Sequence, residues 1–285
     1  MIPASFDYLK AGSVEEALSA LAADEDAKVL AGGQSLLPLL RLRLAYPSTV
    51  VDLGGIDELR GVRDDGSHVA IGAMTTHYDV LTNAIIKEQL PLLVETTATV
   101  ADPAVRHRGT LGGALAHADP TGDLPATALA LDAEFVIVGA AGRRTVPASE
   151  FFQDYLATAI GPDELLVEVR FPKLAGFGWG FSYEKFHRVA QAWAIVGAAA
   201  AVRRENGSIA EARIGLTNMG TTPVRASSTE HALAGTNASV DAIRAAAQHA
   251  AEGTAPSSDL NAQADYREHL ARVLTSRAVA SAAGL

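Results

Sequence analysis

Between Arg106 and Asp123 the chain reads Arg-His-Arg-Gly-Thr-Leu-Gly-Gly-Ala-Leu-Ala-His-Ala-Asp-Pro-Thr-Gly-Asp. No other stretch restricts the fold as much. Thr110, Gly112 and Gly113 arrive together, and Asp119 and Asp123 follow through a turn containing Pro120. Bare backbone amides, a hydroxyl and a carboxylate are thereby offered to one polar ligand. Residues without a β-carbon let the main chain approach phosphate oxygens, and inward-turned amides form an anion-binding concavity. Upstream, Ala31-Gly32-Gly33-Gln34-Ser35 repeats this chemistry. A single Gly-Gly pair is ordinarily a turn. Two of them, separated by an αβ segment, argue for a nucleotide site.

The first loop is expected at a strand-to-helix junction. Ser13 and Glu16 have capping-box spacing, and Ala17, Leu18 and Leu21 follow at helical intervals, which predicts a helix over 13–23. Residues 28–31 then read as a strand entering the loop, 36–43 as a helix or turn leaving it, and 49–53 as a second strand. This is a compact βαβ-like unit with an anion at its edge. Farther on, the pattern predicts a strand over 69–73, helices over 79–86, 90–100 and 124–131, a strand over 134–139 closing a hairpin at 140–143, and a strand over 165–171. Glycine-rich residues 173–180 suit a linker. Strands over 181–186, 194–203 and 209–218 imply a small antiparallel sheet, with helices over 227–234, 240–252 and 263–279 packed on one face. The expected class is α+β, divided at 1–55, 56–175 and 176–285.

Several chemistries are excluded. A Rossmann fingerprint is missing, because Gly176 and Gly178 are followed at the required position by Phe181, and no phosphate-loop Gly-Lys-Ser/Thr exists. His77, His107, His117, His187 and His231 lack metal-ligand spacing, and no Ser-His-Asp order stands in a nucleophile-elbow context. With 285 residues, 48% of them hydrophobic, the chain is long enough for two or three modules around a real core. A formal net charge of −10 leaves no basic face for a nucleic-acid backbone. Zero cysteines rule out disulfides and cysteine-ligated iron–sulfur clusters within the chain. Neither a signal peptide nor a spanning apolar run is present, so no membrane insertion is expected and the cytoplasm is the expected compartment.

In this order, Ala31-Gly32-Gly33-Gln34-Ser35, Thr110-Leu111-Gly112-Gly113 and Asp119-Pro120-Thr121-Gly122-Asp123 resemble the two pyrophosphate loops and acidic turn of the FAD-binding medium subunit of molybdenum hydroxylases, the carbon monoxide dehydrogenase and xanthine dehydrogenase family. The similarity continues through 69–76, 165–172 and 266–270, and so over essentially the whole chain. It implies a two-part PCMH-type, vanillyl-alcohol-oxidase-like FAD-binding domain followed by a small C-terminal domain of a three-stranded antiparallel sheet with helices. It also implies an oxidoreductase subunit whose flavin takes electrons from [2Fe–2S] clusters on a small partner subunit and passes them to an external acceptor. A large partner subunit would hold the molybdenum–pterin cofactor, in a dimer of heterotrimers.

Residue by residue, the resemblance implies amides of Ala31 to Ser35 and Thr110 to Gly113 on the pyrophosphate, with hydroxyls of Ser35 and Thr110 beside them. Leu30 and Leu37, flanking the first loop, join the cofactor-binding set. Asp123 corresponds to the carboxylate that takes a sugar hydroxyl, or else caps the following helix. Leu166 and Lys185 correspond to positions lining the isoalloxazine, the lysine as a nearby cation, unless it sits on a solvated face. Trp193 matches an aromatic that covers the flavin, unless it is a core tryptophan. Ala114 replaces a common asparagine and removes one side-chain hydrogen bond. Gln34 stands where covalent relatives of the fold carry histidine, so FAD should be noncovalent. No side chain is required as general acid or base. Two alternatives stay open, a self-sufficient FAD-dependent oxidase and a non-redox flavin-binding scaffold.

Overall fold

The computed structural model describes residues 2–174 and 177–285. The expected boundary between 175 and 176 lies outside the described residues. Near the N-terminus, β1 (Asp7–Lys10), α1 (Val14–Ala23), β2 (Lys28–Leu30), α2 (Leu36–Leu42) and β3 (Thr49–Asp52) form a parallel sheet of order β1-β3-β2. Ser13 caps α1 by accepting from the Glu16 amide at 3.1 Å, while Glu16 reaches one residue beyond the usual box and accepts from the Gly12 amide at 2.8 Å.

A five-stranded antiparallel sheet follows, built from β4 (Val62–Asp65), β5 (His68–Gly72), β6 (Glu134–Gly139), β7 (Gly142–Pro147) and, later in the chain, β10 (Leu165–Pro172). Its order is β4-β5-β10-β6-β7. Between β5 and β6 run α3 (His77–Thr82), α4 (Ala84–Gln89), α5 (Pro91–Ala98), α6 (Pro103–Arg106), α7 (Leu111–His117) and α8 (Asp123–Ala130). The single helix expected over 79–86 is instead two. Asn83 is extended, at φ −67° and ψ 129°, and its side-chain oxygen accepts from the amides of Ile85 and Ile86, so it ends α3 and caps α4. After β7 come α9 (Ala148–Phe151) and the short pair β8 (Phe152–Asp154) and β9 (Ala157–Thr158).

The C-terminal part holds β11 (Trp179–Phe186), β12 (Val196–Glu205), β13 (Ser208–Thr217) and β14 (Val224–Arg225), then α10 (Ser227–Leu233), α11 (Val240–Ala246) and α12 (Ala264–Ala282). The three expected strands are present, and the two-residue β14 adds a fourth to the sheet, which three strands alone had been expected to make. Helix α11 stops at Ala246 and continues as a 3-10 turn over Ala247–Ala251.

Side-chain alternation makes each sheet a wall shared between layers. On β10, Leu166, Val169 and Phe171 enter the core with α5, α7 and α8, whereas Leu165 and Val167 enter the N-terminal core with α1 and β3. On β12, Ala199 and Ala201 face that helical layer, while Val196, Ala198, Ala200 and Val202 face α12. Alanine predominates because helices press on this strand from both sides: the C-terminal helices on one face, as expected, and α5 and α8 on the other. Helix α8 is thereby clamped between the two sheets, and its first residue is Asp123.

Candidate functional site

Where the layers meet, a cavity of about 650 Å³ opens between the N-terminal sheet and the helical layer. Its lining includes Ala31, Gly32, Gly33, Gln34, Ser35, Thr110, Gly112, Gly113, Ala114, Asp123, Leu166, Lys185 and Trp193. Positions more than 150 residues apart in sequence therefore surround one space. Leu30 and Leu37 stand outside that lining. Their side chains instead pinch Gly33 from behind, where a β-carbon would fall 2.9 Å from Leu37 Cδ1 and 3.2 Å from Leu30 Cδ1. Gly33 has φ +75°, a conformation that favours glycine.

The glycine pairs work differently from the simple expectation. A β-carbon on Gly32 would lie 2.3 Å from the Arg108 carbonyl oxygen and 2.6 Å from Gly109 Cα, and one on Gly112 would lie 2.5 Å from Ala73 Cβ. Their bareness thus lets the first loop press on the second, and α7 on the end of β5. In the second loop the amides of Leu111, Gly112 and Gly113 are already engaged, donating to Thr75 O (2.9 Å), Ala73 O (2.9 Å) and Thr110 Oγ1 (3.1 Å). The expectation of free amides from Thr110 through Gly113 is corrected to the Thr110 amide and hydroxyl, since the other three hold α7 in place. Thr110 Oγ1 accepts from Gly113, which leaves its proton for a ligand. In the first loop the amides of Gly32, Gly33, Gln34 and Ser35 donate to no acceptor among the described residues. Four successive vacant donors, one hydroxyl and one further amide fit a pyrophosphate.

Asp123 is only 5% exposed. Its Oδ1 accepts from the Tyr183 hydroxyl at 2.7 Å and its Oδ2 from Lys185 Nζ at 2.8 Å, and Lys185 also donates to Thr99 O at 3.1 Å. Burial raises the carboxyl above its usual range, with the charge and hydrogen bond of Lys185 and the Tyr183 hydroxyl pulling it back. Burial likewise pushes the Tyr183 hydroxyl well up. Asp123 makes no cap bond to α8, which disposes of that alternative. Lys185 is neither a free cation nor on a solvated face, because its charge is matched by Asp123. Asp119 is consumed in its own turn, accepting from the amide and hydroxyl of Thr121.

On the apolar wall, Leu165 and Leu166, on opposite faces of β10, both border the cavity, and the strand is irregular just beyond them, between Leu166 and Glu168. Trp193 is 59% exposed, at the mouth with Gln191 and Ala192, and is not a core tryptophan. Gln191 has φ +70°. Tyr183 and His77 escaped the sequence reading as site residues. Tyr183 had no local signal, whereas Thr75-Thr76-His77 directly follows a recognised strand and offered one.

Free amides, a buried carboxylate and an apolar slot define a binding site for a large phosphate-bearing cofactor with a planar apolar part. The model for the FAD binding domain in molybdopterin dehydrogenase matches residues 4–174, and that for the CO dehydrogenase flavoprotein C-terminal domain matches 181–282. The chain belongs to this family of FAD-binding oxidoreductase subunits. It is 42% identical over 283 residues to the carbon monoxide dehydrogenase medium chain of Hydrogenophaga pseudoflava, covering 99% of this chain and 98% of that one. It is 40% identical to the 6-hydroxypseudooxynicotine dehydrogenase complex subunit alpha of Paenarthrobacter nicotinovorans, covering 99% and 96%. Carbon monoxide dehydrogenase from Hydrogenophaga pseudoflava superposes with a TM-score of 0.96 at 44% identity, covering 99% of this chain and 98% of that one. Among the described residues no helix is long and apolar enough to cross a membrane.

Proposed function

We propose that this chain is the electron-exit subunit of a molybdenum hydroxylase, holding FAD noncovalently in the cavity described above. The observation that carries the reading is the run of four vacant amides, Gly32 to Ser35, against the hydroxyl of Thr110 in one 650 Å³ space. The first loop and Thr110 take the pyrophosphate, Asp123 accepts a sugar hydroxyl on its remaining lone pairs, Leu166 supports the ring, and Trp193 shields its open side. Leu30 and Leu37 act indirectly, by fixing the turn at Gly33. Lys185 keeps Asp123 oriented. Bound FAD supplies redox chemistry in one-electron and two-electron steps, linking iron–sulfur clusters to an external acceptor.

The partners in this reading are a large molybdenum–pterin subunit and a small subunit with [2Fe–2S] clusters, assembled in the cytoplasm as a dimer of heterotrimers. Full-length similarity to medium chains supports it. The division into 1–55, 56–175 and 176–285 belongs to the same proposal; each part holds one of the three larger sheets, and the short β8–β9 pair falls in the second. Purified protein should carry about one FAD per chain, released by acid precipitation because Gln34 offers no nucleophile for a covalent link. Flavin left in the pellet, or FMN in the supernatant, would overturn this reading.

A further inference from the structure

Among the described residues, one side chain lining the cavity has a fully enclosed polar atom without a partner. His77 follows β5, is 3% exposed and lines the cavity. Its Nδ1 is enclosed and unbonded, and no hydrogen bond to Nε2 exists among the described residues, although Nε2 is not enclosed as Nδ1 is. Nε2 is thus the ring nitrogen that keeps some access, on a residue that lines the cavity. The ring lies along the second loop. A β-carbon on Gly109 would fall 2.9 Å from Cδ2 and 3.1 Å from Nε2, and the His77 amide donates to Gly109 O at 2.9 Å. Gly109 and Arg108 are also where Gly32 of the first loop presses, so the imidazole stands at the seam of the two loops.

We propose that His77 is a third arm of the phosphate site, a neutral donor whose Nε2–H bonds a pyrophosphate oxygen of the cofactor. The proposal rests on the FAD reading above. A buried N–H left unpaired is rarer than an unpaired acceptor, so the enclosed Nδ1 bears the lone pair and the proton lies on Nε2, toward the ligand. Burial, aided by the nearby charge of Arg106, lowers the pKa to about 4 and keeps the ring neutral. The donor thus complements the loop amides without adding a buried charge.

The test compares His77→Gln, whose amide nitrogen reaches the Nε2 level, with His77→Asn and His77→Leu, which lack a donor there. The readouts on the purified FAD-loaded chain are the rate of flavin release on dilution, from recovered fluorescence, and the phosphorus NMR spectrum of bound FAD. Leu and Asn variants should release FAD roughly tenfold faster or more, with a displaced phosphorus resonance, while Gln stays within about threefold of wild type. A merely structural histidine would give equal losses in all three variants, with phosphorus resonances unmoved. That outcome, or wild-type retention in Leu and Asn variants, overturns the proposal while leaving the FAD reading intact. A wild-type chain without FAD overturns both.

Discussion

His77 titrates near 6.5 when unfolded and at about 4 in the fold, because burial and Arg106 disfavour its charged form. Between those values the unfolded chain holds more protons, so stability falls as pH falls through that window and is complete only above its upper end. For a side chain this buried, the shift corresponds to about 3 kcal/mol. His77→Gln should therefore lose less stability than wild type between about pH 7.5 and about pH 5, measured by urea midpoints. Equal losses would assign the acid sensitivity to other groups. Gly113 gives a second prediction at this scale. A β-carbon there falls 2.7 Å from Thr110 Oγ1 and 3.2 Å from Ala31 Cβ. Gly113→Val must then part the two loops and displace the Thr110 cap, an overpacking cost of about 1–3 kcal/mol that lands on the binding loops. FAD affinity should drop roughly tenfold or more with the fold retained; an unchanged fluorescence titration would exclude the second loop from the site. The glycines were legible in the sequence, but their reason was not. Residue type reveals a missing β-carbon, and only the fold shows that Arg108, Ala73 and Thr110 fill the space it leaves.

Helix α8 shows how an element can be legible while its surroundings are not. Its apolar run was plain from Leu124 onward, yet periodicity could not reveal that one end is tied to β11, through Tyr183 and Lys185 on Asp123, and its middle pressed on β13. Such contacts join residues 60 or more positions apart and leave no local pattern. The α3–α4 break was missed for a different reason, since Asn83 in an amphipathic run looks like a tolerated polar residue until its cap geometry is known. The packing of α8 is steep enough to test. A β-carbon on Gly215 would lie 2.0 Å from the Ala126 carbonyl oxygen, a backbone atom that cannot rotate aside. Gly215→Ala should therefore push α8 off the sheet and destabilise the chain by about 1–3 kcal/mol. A melting temperature several degrees lower, with faster FAD release because Asp123 moves with the helix, is the expected result. Unchanged melting would mean that α8 and β13 are less tightly apposed than described.

For the whole molecule, zero cysteines mean that a cysteine-ligated cluster feeding this flavin must sit on another chain, and a docking surface must bring it close. The cavity mouth is the natural place. Trp193 is exposed there; Arg188 and Val189, just before it in the chain, and His107 and Arg108, beside the second loop, are exposed as well. Arg106 is not part of that rim, because its guanidinium turns inward to the carbonyls of Val100 and Ala101. Arg188 has no ion-pair partner among the described residues, so its charge is free to meet an acidic partner surface. Alone, the chain should oxidise no substrate of the complex, yet should pass electrons to dyes once its flavin is chemically reduced. Adding the large and small subunits should restore substrate-driven flavin reduction, and Arg188→Glu should slow it without altering FAD content. A single rim charge contributes modestly and is screened by salt, so the slowing should be a few-fold and shrink at high ionic strength. Substrate turnover by this chain alone, with FAD as its only cofactor, would refute the subunit reading and favour a self-sufficient oxidase.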